Sequence, residues 1–207
     1  MDQSYWIYVL GFFAQGLFGA RSVVQWILSE RAGRVLSPTL FWVLSLCGSF
    51  LFLIYGLIRH DAVILLGQGI SFYIYIRNLQ LKGAWAKIPK ALRWLLYLVP
   101  PGIVFSAVQL ELNFSLGEGT LLLLVIGISG QLLLNCRYLY QWYFSEKAKQ
   151  SLLPLGFWVI SAFASILVVI YSIFRKDPVL LVAQSLGLVV YIRNIWIYRK
   201  QALLSNP

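Results

Sequence analysis

Apolar residues run along the chain in blocks of about twenty, separated by short polar connections, and about twenty residues is the length a helix needs to cross a bilayer. The blocks cover 5–28, 39–58, 62–81, 94–112, 120–144, 155–174 and 179–198. The segment 94–112 contains Pro100, Pro101 and Gly102. Proline is tolerated in a membrane helix when neighbouring groups satisfy the freed carbonyls, so this segment counts as a span. The pattern therefore predicts an all-α integral membrane protein with seven transmembrane helices.

The chain also matches itself at an offset of 116 residues. Gly11, Gln15, Arg21, Gln25, Trp26, Ser29 and Glu30 return as Gly127, Gln131, Arg137, Gln141, Trp142, Ser145 and Glu146. Pro38, Phe41, Trp42, Ser45 and Ser49 return as Pro154, Phe157, Trp158, Ser161 and Ser165, and Gln68, Tyr75, Ile76, Arg77 and Asn78 as Gln184, Tyr191, Ile192, Arg193 and Asn194. Positions 11–82 against 127–198 give 28 identities in 72 without a gap. Shared apolar composition would match mostly Leu, Ile and Val; Gln, Arg, Trp, Asp and Asn match here, which marks a duplication. The expected organisation is a first three-helix repeat (1–82), a basic linker with its own helix (83–115) and a second three-helix repeat (116–207). A three-helix unit crosses an odd number of times, so the single linker helix makes the two copies parallel in a 3+1+3 arrangement.

Composition agrees with this picture. Of the 207 residues 60% are apolar and 12% charged, against about 45–50% and about 25% in ordinary soluble domains. The net charge of +10 would suggest nucleic acid in a soluble protein, but here it follows from loop cations, and no nucleic-acid partner is expected. Seven spans place Arg31, Arg34, Lys82, Lys87, Lys90, Arg93, Lys147, Lys149, Arg199 and Lys200 on one side, and Arg59, Arg175 and Lys176 on the other. The positive-inside bias puts the N-terminus outside and the C-terminus in the cytoplasm. The start of the chain lacks a basic region and a cleavage site, so the first span is expected to be retained. Cys47 and Cys136 lie in apolar stretches and read as small packing residues.

Several repeated residues have structural explanations. Asp61 and Asp177 read as helix caps, Pro38 and Pro154 as helix starts, and the serines 45/49 and 161/165 as packing positions. Arg77 and Arg193 lie near helix ends, within reach of the headgroups. Arg21 and Arg137 are harder to explain, because they sit about 12 Å of helix from the span end, where a charge is costly and by default faces a cavity or partner. No acidic residue lies inside any span at their depth. Gln25 and Gln141 share their face, Gln15 and Gln131 lie near mid-span, and Gln68, Tyr75, Asn78 and Gln184, Tyr191, Asn194 form a stripe on each third helix. These residues predict a polar ligand cavity open to the cytoplasmic half, and guanidinium forks suit phosphate. The sequence holds no phosphate loop, no dinucleotide fingerprint, no metal-spaced His/Cys set and no catalytic triad. No cofactor, no metal and no enzymatic activity are expected.

The Gln-x5-Arg-x3-Gln-Trp-x2-Ser-Glu run (15–30 and 131–146), the Pro-x2-Phe-Trp opening of each second span and the Gln…Tyr-Ile-Arg-Asn ending of each third span resemble the lipid A biosynthesis N-terminal domain family. That family is similar in its three-helix unit to the PQ-loop, SWEET and SemiSWEET transporters, although the proline–glutamine pair is absent here. The resemblance implies a multi-pass protein of the bacterial inner membrane. It would carry or flip a glycolipid intermediate, either a polyprenyl-phosphate sugar or a lipid A precursor. Arg21 and Arg137 would hold the phosphate, and the glutamines, tyrosines and asparagines above, with Arg77 and Arg193, would complete the binding set. One rival is a non-transporting partner that positions a glycosyltransferase; another is SWEET-like uptake of free sugar.

Overall fold

The computed structural model describes residues 3–58, 62–109, 121–175 and 178–205. Among these there are seven α-helices and no strand. They are α1 (Gln3–Ala32), α2 (Thr39–Ile58), α3 (Ala62–Leu81), α4 (Lys90–Gln109), α5 (Leu121–Ala148), α6 (Leu155–Arg175) and α7 (Pro178–Ser205), with a short 3₁₀ turn at Trp85–Lys87. Helices α2 and α3 coincide with the predicted blocks. Helices α1, α5 and α7 run past theirs by 32 − 28 = 4, 148 − 144 = 4 and 205 − 198 = 7 residues. The extra turns carry Glu30, Arg31, Glu146, Lys147, Arg199 and Lys200. Hydropathy marks where the apolar stretch stops, whereas charged residues with good helix propensity let the backbone ladder continue. Helix α4 starts at Lys90 and continues through Pro100 and Pro101. Among the described residues three helical stretches, Thr39–Ile58, Leu155–Phe174 and Leu181–Leu203, are long and apolar enough to cross a membrane. The capping roles expected of Asp61 and Asp177 fall outside the described residues.

The ends of α1 and α5 are built alike. Gly33, at φ +63°, terminates α1, and Lys149, at φ 52°, occupies the same repeat position after α5. A left-handed residue just past a helix turns the chain and lets the last carbonyls find donors. The Gly33 N–H donates to the Glu30 carbonyl and the Gln150 N–H to the Ser145 carbonyl. The next helices then open in the same way, with the Phe41 and Phe157 N–H groups donating to the carbonyls of Pro38 and Pro154.

The chain divides into two compact units, Met1–Arg21 with Trp42–Gly117, and Ser22–Phe41 with Glu118–Pro207. In the first, Trp42, Leu53, Phe72, Tyr75, Ile76 and Leu79 are fully buried, and α3 packs on α4 and the 3₁₀ turn. In the second, α6 packs between α5 and α7 around Leu134, Ala164 and Val168. Gly130 permits the close approach of α5 to α6, since a Cβ there would meet Val168 Cγ2 at 2.8 Å and the Ala164 carbonyl at 3.3 Å. Cys47 and Cys136 are free and exposed, so they lie on the outside and not in the packed interior.

Candidate functional site

Each unit contains a buried arginine held by one serine and one tyrosine from two other helices. In the first unit Arg21, on α1, donates from Nη1 to Ser45 Oγ at 2.8 Å and to Tyr75 Oη at 3.3 Å. Its guanidinium lies 4.4 Å from the Phe18 ring centroid and 5.7 Å from that of Tyr75. In the second, Arg137, on α5, donates from Nη1 to Ser161 Oγ and to Tyr191 Oη, both at 3.0 Å. Three rings surround it, Tyr138, Phe157 and Tyr191, at 4.9 to 5.4 Å. The tyrosines are set by tryptophans in matching poses: Trp42 against Tyr75 and Trp158 against Tyr191, each pair with centroids 6.1 Å apart.

Burying a guanidinium is expensive unless its surroundings compensate. Arg21 is 5% exposed and Arg137 7%. Neutral hydroxyls and aromatic faces lie around both charges, and such groups stabilise a cation by dipole and quadrupole. Hydroxyls are also adaptable, since they can accept from the guanidinium or donate elsewhere as a ligand arrives. Ser161 already donates to the Phe157 carbonyl. A positive charge kept in an apolar, hydroxyl-lined shell is chemically suited to an oxyanion such as phosphate.

The other expected site residues divide into two groups. The amides of Gln25 and Gln141 brace the chain after their helices: Gln25 Nε2 donates to Ser29 Oγ and the Leu36 carbonyl, and Gln141 Nε2 donates to Ser145 Oγ and the Leu152 carbonyl. In the second unit Gln25 and Asn194, both fully buried, also exchange amide hydrogen bonds at 2.8 and 3.1 Å. Asn78 and Asn194 each donate back to a carbonyl one turn earlier, on Ile74 and Val190. Gln184 accepts from Ser165 Oγ at 2.8 Å. Gln68 is buried with its side-chain carbonyl oxygen bonded to nothing, while its backbone carbonyl accepts from Ser49. Gln15 is half-buried, and the side chain of Gln131 lies outside the described residues. Arg77 donates to Gln80 Oε1.

Arg193 forms a forked pair with Glu30 and lies over the Trp196 ring. The hydrogen bond from Arg193 holds the Glu30 carboxyl below its ordinary value of 4.5, helped by Trp26 and Lys200 and opposed by desolvation. A carboxylate whose value is lowered by folding stabilises the folded state above its unfolded value and loses that contribution as pH falls through the folded one. The expected result is a full and constant contribution of this pair to the melting temperature between pH 7 and 5, with an additional fall below about pH 4.5 that Glu30→Gln abolishes. Thermal unfolding in detergent across that range measures it.

Sequence reasoning assigned Ser45 and Ser161 to packing, yet they are the first hydrogen-bond partners of the arginines. The signal was available in the fixed spacings, because both triads join residues 24 and 54 apart.

The model of the family described as Lipid A Biosynthesis N-terminal domain matches the chain twice, at residues 10–80 and 126–196. Among curated relatives, the lipid-A-disaccharide synthase of Chlamydia pneumoniae is 29% identical over 95% of this chain and 34% of its own length. That of Chlamydia abortus is 30% identical over 97% and 34%, and that of Chlamydia muridarum 28% over 96% and 35%. The chain thus spans about a third of the length of the curated relatives it matches. These matches correct the expectation of no enzymatic activity: the relatives are named as an enzyme, and this chain aligns along nearly its whole length with a third of each. No solved structure matches, and the likeness to PQ-loop and SWEET transporters stays an expectation from sequence. Family and relatives together support a role in lipid A biosynthesis. With two copies of the family's domain covering most of its length, the chain belongs to the Lipid A Biosynthesis N-terminal domain family.

Proposed function

We propose that the chain is a seven-span module of the bacterial inner membrane, with the N-terminus outside and the C-terminus in the cytoplasm, that binds and carries a glycolipid intermediate bearing a phosphate on a sugar. The two repeats and the linker, divided at 82 and 115, would lie parallel as 3+1+3. The observation that carries this reading is the recurrence of one arginine–serine–tyrosine cluster, with the same spacings, on both copies of the duplicated domain. Packing alone has no need of a guanidinium there, where an apolar side chain would avoid the cost of burying charge. In this reading Arg21 and Arg137 take the phosphate, and the tyrosine hydroxyls and the amides of Gln15, Gln68, Gln131 and Gln184 meet sugar hydroxyls. Gln25, Gln141, Asn78 and Asn194 hold the helices that present them, while Arg77 and Arg193 lie towards the headgroups.

The test is transbilayer movement of a fluorescent polyprenyl-phosphate sugar in vesicles containing the purified chain. Movement should exceed that in protein-free vesicles. Arg21→Gln with Arg137→Gln should slow it by about tenfold or more, since each charge-assisted bond lost is worth ~1.5–3 kcal/mol. Unchanged movement in a folded double variant overturns the mechanism. A second reading, in which the module presents the glycolipid to a glycosyltransferase without moving it, is favoured by the relatives' threefold greater length. It predicts binding that depends on the arginines with no movement above protein-free vesicles.

A further inference from the structure

The linker, which has no repeat counterpart, forms a cleft in the first unit. It has a volume of about 410 Å³ and is lined by Gln80, Trp85, Lys90, Arg93, Trp94 and Tyr97. Its walls are fixed by local contacts. Tyr97 accepts a hydrogen bond from Gln80 Nε2, its carbonyl accepts from Tyr73 Oη at 2.9 Å, and its ring packs edge-on against Trp85 at 5.5 Å. Trp94 lies tilted 6.4 Å from the same ring and is 70% exposed, so its indole face is open.

Charge sets this cleft apart from an ordinary aromatic cluster. Lys90 and Arg93 occupy the first turn of α4, which has no acidic residue. The first turn of a helix is its positive end, so cations there are disfavoured and anions favoured. The Nε–H of Arg93 is buried and makes no hydrogen bond, although a donor in that state costs free energy until a ligand or water meets it. Two cations, a helix N-terminus and an unsatisfied guanidinium donor meet here beside exposed and buried indole faces. An oxyanion would satisfy the first three, and the apolar face of a sugar ring would suit the indoles by stacking.

We infer that the linker cleft is a second ligand site, for the phosphate and adjoining pyranose of a sugar phosphate, with Lys90 and Arg93 on the phosphate and Trp94 on the ring. It is built from residues other than the two arginine clusters, so it can stand or fall separately from the carrier reading. The phosphate could belong to a soluble sugar phosphate, a monoester, or to a lipid headgroup, a diester, and both offer the cleft anionic non-bridging phosphate oxygens.

The experiment titrates the full chain in nanodiscs with glucose 1-phosphate, glucose and inorganic phosphate, following tryptophan fluorescence. Saturable binding of glucose 1-phosphate at least about tenfold tighter than of either part alone is expected, because each part would supply on the order of one charge-assisted or stacking contact. Lys90→Gln with Arg93→Gln should weaken binding by at least about tenfold, while Trp94→Ala, at an exposed position, should reduce glucose 1-phosphate binding to the level of phosphate. Nanodiscs of phosphatidylcholine alone, and with one part in five phosphatidylglycerol, separate the sources. Competition by phosphatidylglycerol assigns the phosphate to lipid, its absence assigns it to the soluble compound, and both support the anion site. Equal binding by wild type and by Lys90→Gln with Arg93→Gln, or no saturable change with any probe, overturns it. Repeating the titration in the Arg21→Gln, Arg137→Gln background removes the carrier site, and there Lys90→Gln with Arg93→Gln should still weaken glucose 1-phosphate binding by at least about tenfold.

Discussion

Replacing Gln25 by Leu should lower the unfolding free energy by about 3 kcal/mol, and replacing Asn194 by Leu by about 2 kcal/mol, yet the double substitution should cost well under their sum. The Gln25 amide donates to Ser29, Leu36 and Asn194 and accepts from Asn194, with both amides fully excluded from solvent. Leu at position 25 leaves the Asn194 Oδ1 without its donor, although Asn194 Nδ2 keeps the Val190 carbonyl, and takes a donor from the half-buried Leu36 carbonyl; a buried polar group without a partner costs ~1–3 kcal/mol. Leu at position 194 strands fewer groups, because Gln25 keeps Ser29 and Leu36. In the double variant neither amide remains to be stranded, so a coupling of about 1–2 kcal/mol should appear. Denaturant titration of the four proteins in one detergent measures the cycle. Additive costs would mean that the two amides are not coupled.

This pair also shows how far the sequence could be read. The boundaries of α2 and α3 were legible because apolar blocks end there at short polar loops, and the duplication was legible because polar identities recur at one offset. The role of Gln25 was not. Its spacing of four from Arg21 placed both on one helix face, and that face was read as one cavity. In the folded chain, a serine one turn later and a loop carbonyl eleven residues on capture the amide first. Short-range competition of this kind is invisible to periodicity, because it depends on the left-handed turn at Gly33 that folds the chain back. The linker cleft was hidden for a related reason. Lys90, Arg93 and Trp94 read as a basic stretch followed by a span, and only their folding against Gln80 and Trp85 makes a concave surface.

The arginines allow stability and ligand capture to be separated. Arg21→Met and Arg137→Met keep most of the side chain's volume and remove its charge and donors. Burying a guanidinium carries a desolvation cost that an apolar side chain of similar size avoids. The lost bonds to Ser45 and Tyr75, or Ser161 and Tyr191, offset part of that gain. Each single variant should therefore fold with a stability within about 1 kcal/mol of the wild type. Binding of a phosphate-bearing glycolipid should fall by about thirtyfold or more per arginine, the equivalent of one charge-assisted contact of ~2 kcal/mol. Since the two clusters share one geometry, the two variants should behave alike. Arg→Lys should recover little, because an ammonium lacks the planar fork that can hold a serine, a tyrosine and a phosphate oxygen at once. A structural role gives the opposite pattern, with both Met variants unfolding early and the survivors binding normally. Thermal unfolding and glycolipid binding measured on the same preparations decide between the two.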